Sequence, residues 1–142
     1  MKGFTLLEVL LVIAILALVT SVGIPSYAKF VNMNSINTQV NELRKNIRFA
    51  QQQAEAGKHN SNHGVHFTTS SYTLYTGESY SSRNQNKDKT YQLNKRMEIT
   101  KYFDLNFYRD TGKPSATGTI ILKNKINKKS TGIKINEYGL VY

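Results

Sequence analysis

Hydrophobic and polar positions fall into three regimes along the chain, and each regime predicts a different element. From Phe4 to Ile24 the 21 residues are apolar on every side, with Thr5, Glu8, Thr20 and Ser21 the plainly polar exceptions, and Val9 to Val19 holds no polar side chain. At about 1.5 Å per residue this run makes roughly 31 Å of helix, matched to a hydrocarbon core of roughly 30 Å. Farther on, Ile36, Val40, Leu43, Ile47, Ala50 and Ala54 follow steps of four and three, while Asn37, Asn41, Glu42, Arg44, Lys45 and Arg48 fall off that stripe. Such spacing is an amphipathic helix that needs a partner surface. Tyr27, Phe30 and Val31 join the two halves. Pro25 removes a helical hydrogen bond and crowds the Ser21 carbonyl, and Gly23 weakens the same turn, so a kink is expected there. Gly57 is a natural stop, giving one helix from about Phe4 to Ala56.

The third regime alternates with period two. Gly64 to Thr68 and Ser71 to Tyr75 predict a hairpin, and Tyr91–Leu93, Met97–Ile99, Leu105–Tyr108 and Gly118–Leu122 predict further strands. Gly77 to Lys89 is polar and rich in Gly, Ser and Asn, which predicts a mobile loop, and Asp110-Thr111-Gly112-Lys113-Pro114 is turn chemistry. Gly132–Asn136 and Gly139–Tyr142 predict a closing hairpin. The expected architecture is α+β: a long N-terminal helix, half apolar and half amphipathic, packed on an antiparallel β-sheet. The corresponding segments are 1–3, a leader; 4–25, an apolar helix; 26–57, the amphipathic half; and 58–142, a β-rich globular part.

Glu8 is the residue in the apolar run that demands an explanation. A carboxylate there is costly, on the order of 2.5–3.5 kcal/mol at mid-membrane and less near the end, and no Lys or Arg lies between Lys2 and Lys29. Cleavage between Gly3 and Phe4 would create a cation, the Phe4 α-amine, four residues away, available to Glu8 of the same chain or of a neighbour. A secretory signal or plain anchor is the competing reading. It lacks a strongly charged n-region, and the small residues after the apolar core run into Pro25 and more helix.

Lys2-Gly3-Phe4-Thr5-Leu6-Leu7-Glu8, the apolar run behind it and Pro25 resemble the class III signal of the type IV pilin and type II secretion pseudopilin superfamily. The resemblance implies cleavage after Gly3 by a prepilin peptidase, N-methylation of Phe4, and pairing of Glu8 with the Phe4 amine of an adjacent subunit. It also implies a precursor that crosses the cytoplasmic membrane once with its globular part outside. An inner-membrane assembly platform then inserts the chain among other pilin or pseudopilin subunits in a surface filament or pseudopilus. The leader of three residues is short for the superfamily. The order of strands, including Gly64-Val65-x-Phe67, Gly118-Thr119-Ile120 and a last hairpin at Tyr138-Gly139, is similar to H-type (GspH/FimT-like) minor pseudopilins and to competence minor pilins.

Composition narrows the remaining chemistry. The 142 residues include no cysteine, so neither disulfides nor thiolate metal sites are available. With 19 Lys+Arg against 9 Asp+Glu the formal charge is +10, which suits nucleic acid, anionic lipid or acidic wall polymers, or reflects only a Lys- and Asn-rich composition. No pair of acids is placed for acid–base work, and no nucleophile elbow or phosphate loop is present, so no enzyme is expected and no cofactor. His59, His63 and His66 are spaced by four and three, but the surrounding Gly, Asn and Ser make a shared helix face improbable; exposed loop histidines, and no metal, are the expectation. Six lysines and no acid lie between Thr111 and Asn136. Of these Lys123, Lys125, Lys128 and Lys129 crowd one turn, a candidate for sequence-blind contact with DNA. DNA-binding relatives of the FimT type are known to use C-terminal arginines, which this chain lacks. A solvated basic loop and an anionic lipid or wall polymer are the competing readings of that turn, and a monomeric anchored protein is the competing reading of the whole chain.

Overall fold

In the computed structural model, residues 3–142 are described, with the side chains of residues 22–35 outside the description. Met1 and Lys2, the kink expected at Pro25, and the side chains of Tyr27, Phe30 and Val31 therefore lie outside the described residues. The chain divides into two compact units, Met1–Ser35 and Ile36–Tyr142. Ile36, the first residue of the stripe, opens the second unit and is buried in its core.

One helix, α1 (Leu6–Glu55), runs through both halves of the N-terminal pattern. Thr5 caps its start: the Glu8 N–H donates to Thr5 Oγ1 at 3.2 Å and to the Thr5 carbonyl at 3.1 Å. Thr5-x-x-Glu8 thus has the form of a capping box, with an acid where the helix dipole favours one. At the other end Gly57 adopts φ 59° and donates to the Ala54 carbonyl at 2.9 Å, the left-handed stop that glycine permits. Within the second unit every predicted stripe position, Ile36, Val40, Leu43, Ile47, Ala50 and Ala54, is buried.

That stripe packs on strands. β1 (His63–Phe67), β2 (Ser71–Thr76), β3 (Lys89–Gln92) and β5 (Leu105–Phe107) form one antiparallel sheet in the order β3-β2-β1-β5. β4 (Met97–Lys101), β6 (Gly118–Asn124) and β7 (Ser130–Ile135) form a second, in the order β4-β6-β7. The expectation of a single sheet is corrected here. Alternation fixes which face of a strand is buried but not its partner. A turn at Asn94, where the Met97 N–H donates to the Asn94 carbonyl at 2.8 Å, redirects the chain so that β4 pairs with β6 rather than β3. One backbone bond, Ile99 N–H to the Thr69 carbonyl at 2.9 Å, ties β4 to the turn between β1 and β2, while the Leu93 N–H bond to the Ser70 carbonyl, also 2.9 Å, extends the β2–β3 pairing. Val65, Phe67, Leu105, Phe107, Ile120, Leu122, Ile133 and Ile135 join the α1 stripe in a single core.

The segment Gly77–Lys89, expected to be a mobile loop, is held by specific contacts. The Tyr80 ring stacks on His66 at 3.7 Å and meets Tyr75 edge-on at 5.6 Å. The Arg83 guanidinium lies 3.7 Å from the Tyr80 ring centre and pairs with Asp88 at 2.7 Å. Gly64 permits this layering: a Cβ there would overlap the Tyr75 ring. The closing hairpin is present in short form, with Lys134 and Tyr142 exchanging backbone bonds of 2.8 and 3.1 Å. Arg48 of α1 donates to the Val141 carbonyl at 2.8 Å, fastening the C-terminus to the helix.

Candidate functional site

At the N-terminus, large apolar side chains accumulate on the surface. Phe4 is 84 % exposed and Leu6 85 %, and the large apolar residues from there to Val19 are likewise exposed. A Cβ at Gly3 would meet nothing within 4 Å, so the Gly3–Phe4 bond is sterically open. Phe4, Glu8, Val9, Val12 and Ile13 line one shallow hollow of about 350 Å³. Glu8 therefore sits in an apolar setting close to the residue whose amine cleavage would release. Among the described residues no helix is long and apolar enough to cross a membrane; the described side chains of the apolar run end at Ser21, whereas the run in the sequence continues to Ile24. Thr5, which caps α1, was not singled out in the sequence, although Thr5-x-x-Glu8 was visible as a pattern.

The lysines of the predicted basic turn do come together. Lys125, Lys128 and Lys129 are exposed in the connection between β6 and β7, Lys128 with φ 59°, and Lys123 is half-buried at the end of β6. The Asn124 side chain organises the turn, accepting from the Ile126 N–H at 2.8 Å.

His59, exposed, and His63, buried, lie near each other, while His66, half-buried, makes its contacts elsewhere. His66 points to Asp104, with Nδ1 2.7 Å from Oδ1. His63, expected in an exposed loop, is buried in β1. Its Nε2 lies 2.8 Å from the Lys58 carbonyl and its Nδ1 3.4 Å from Thr76 Oγ1, so Nε2 carries the proton and Nδ1 accepts. Burial, with the Lys58 and Lys87 charges adding, holds its pKa below the usual histidine value despite the bond to Lys58. His59, 6.1 Å away ring to ring, is likewise lowered, by such desolvation as it has, then by Lys87, Lys58 and His63.

These two histidines belong to a cleft that no local signal in the sequence announced. The turn after α1, the Gln85–Lys87 turn and the start of β3 bring Lys58, Lys87 and Lys89 around a cavity of about 210 Å³, with Phe49 and Tyr75 on its apolar walls. A second cavity of about 630 Å³ shares Phe49 and Lys89 with it and is lined by Arg44, Lys45, Arg48 and Tyr91. No acid lines either one. Backbone strain supports the first: His59 and Asn60 both hold positive φ, 61° and 53°. Arg109 Nη1 keeps them there by donating to Asn60 Oδ1 at 2.6 Å.

Comparison with known proteins bears on both ends of the chain. Residues 1–24 match the family model described as the prokaryotic N-terminal methylation motif. No curated protein matches the sequence. Among solved structures, the minor pseudopilin EpsH from the Type 2 Secretion System of Vibrio cholerae is similar, with a TM-score of 0.58 and 11 % identity over 75 % of this chain and 93 % of that one. At that identity the likeness establishes the fold.

Proposed function

We infer that this chain, which carries the N-terminal methylation motif on a pseudopilin-like fold, is a minor pilin-type structural subunit of a type IV pilus or type II secretion pseudopilus. The observation that carries the reading is the run of exposed large apolar side chains over residues 4–19, which have no packing partner among the described residues, with one acid near a sterically open Gly3–Phe4 bond. Burying a large apolar side chain contributes about 1.5–3 kcal/mol, so this surface has tens of kcal/mol to gain from lipid or from copies of the same helix. The precursor sits in the cytoplasmic membrane through this segment, and prepilin peptidase cuts after Gly3. The freed, methylated Phe4 amine of one subunit then offsets Glu8 of the next, and Pro25 lets the helix loosen as it leaves the bilayer for the platform-driven filament.

Glu8 also occupies the position that would complete a capping-box pattern with Thr5, so the test must separate its charge from that local setting. Glu8→Gln keeps the cap, because Gln also serves at that position, but removes the charge. In cells expressing the machine, Glu8→Gln is expected to be processed normally and to be missing from sheared filaments, and Gly3→Ala to remain uncut. Normal incorporation of Glu8→Gln would reduce Glu8 to a helix cap. A second reading rests on the exposed Lys125, Lys128 and Lys129: contact with DNA at the filament surface. It predicts a gel shift that weakens when these three are replaced by Ala, and no shift at low salt would end it.

A further inference from the structure

The cleft at Lys58, Lys87 and Lys89 is not absorbed by filament assembly, and its chemistry is specific enough to name a ligand class. Lys58, from the turn after α1, and Lys87 and Lys89, two positions apart where the Gln85–Lys87 turn leads into β3, line a cavity of about 210 Å³ that has no acid among its described lining residues. Lysine ammoniums are compact, rotatable point charges suited to phosphoryl oxygens. The neighbouring cavity, which shares Phe49 and Lys89 with this one, is lined by Phe49, 41 % exposed, and by Tyr91, one face of whose ring stacks on Tyr72 at 5.2 Å. Arg44 lies along the same lining, and its buried Nε has no hydrogen-bond partner among the described residues.

We propose that this cleft binds a phosphoryl group carried on a flat ring, as in a nucleotide, with Lys58, Lys87 and Lys89 holding the phosphate and Phe49 and Tyr91 flanking the ring. His63 stays a structural residue, since both its ring nitrogens are engaged within the fold. His59 is exposed at the rim and supplies a ring N–H. An anion placed among the lysines would offset the field that now disfavours its protonation. The groups facing His59 are Lys58 on its own turn, Lys87 and His63, so the expected effect of ligand is a rise in its pKa. One ligand chemistry admits two sources here, a free nucleotide or one unit of a single strand. The proposal stands apart from the filament reading, because the cleft lies wholly within Ile36–Tyr142.

The experiment uses the full chain in uncharged detergent micelles at about 50 mM salt, where screening is modest. Inorganic phosphate, adenosine monophosphate and a short oligothymidylate are titrated, read by calorimetry and by the His59 ring proton in NMR. The expected result is saturable binding of adenosine monophosphate, tighter than phosphate alone, with an upward shift of the His59 titration. A triple change of Lys58, Lys87 and Lys89 to Gln should weaken it at least tenfold. The charge-matched change of Lys125, Lys128 and Lys129 to Gln should alter it less than twofold. Oligothymidylate binding more than tenfold tighter per molecule, lost in the cleft variant alone, assigns the source to a polymer; equal or weaker binding assigns it to the free nucleotide. No saturable binding of any probe to the unaltered chain, an unmoved His59, or equal loss in both triple variants overturns the proposal.

Discussion

Ile47 gives the sharpest quantitative test of how α1 is held in the second unit. Its side chain is fully buried, beside Leu43 and Ala50 on the stripe that faces the sheets. Ile47→Ala removes three carbon groups, about 2.4 kcal/mol at roughly 0.8 kcal/mol each, and leaves a cavity that brings the expected loss into the 2–5 kcal/mol range. Domains of this size are stable by only about 5–15 kcal/mol, so the change is a large share of the total. Ile126→Ala deletes the same atoms from a side chain 57 % exposed in the β6–β7 turn and should cost less than about 1 kcal/mol. The assay is urea unfolding of the full chain in micelles, followed by tyrosine fluorescence, since the sequence has nine Tyr and no Trp. With a slope of about 1–3 kcal/mol per molar urea, the Ile47 midpoint should fall by at least about 0.7 M, and the Ile126 midpoint by less than about half as much at the same slope. Equal, small shifts in the two variants would mean that α1 is not the wall of this core.

Further expectations follow from other parts of the second unit. Burial pushes the Tyr72 and Tyr75 phenols each up to about 12. Because the unfolded phenols ionise near 10, stability should be unaffected below pH 10 and fall between pH 10 and 12, and a flat pH–stability curve across that window would refute the assignment. His63 has the opposite profile: its neutral form is favoured in the fold, so stability should decline as pH drops below about 6.5, and His63→Gln should flatten that decline in thermal melts. Gly64→Ala sets a methyl into the Tyr75 ring and should lower the melting temperature by several degrees, about 1–3 kcal/mol; in a double-mutant cycle Gly64→Ala should cost less on a Tyr75→Ala background than alone.

How much of this was readable in advance depended on whether the information was local. The α1 stripe was, because a helix repeats its burial every three to four residues and Ile36, Val40, Leu43, Ile47, Ala50 and Ala54 obey that period without exception. The hairpin of β1 and β2 was also local, with the Thr68–Ser71 turn between two alternating runs. Partner choice was not: Met97 and Ile99 read as a strand, but only the turn at Asn94 and the facing edge of β6 send them to a second sheet. The Gly77–Lys89 segment looked unanchored because one anchor, His66, lies across the hairpin in β1, and its contacts with Tyr75 and between Arg83 and Asp88 follow no periodicity. The cleft was invisible for the same reason, since Lys58 and Lys87 are 29 positions apart and neither is remarkable within its own stretch. By contrast the Gly3-Phe4 junction and Glu8 were fully local, and the match over residues 1–24 falls on that same stretch.

The account rests on conversion of the Gly3–Phe4 junction into a new, charged chain end that a neighbouring Glu8 accepts. Intact-mass and N-terminal peptide mass spectrometry of this subunit, taken from filaments or pseudopili sheared off cells, reads that end directly. The predicted result is a chain that begins at Phe4 and carries one added methyl group on its amine. A subunit in the same fibres that still begins at Met1 would contradict it.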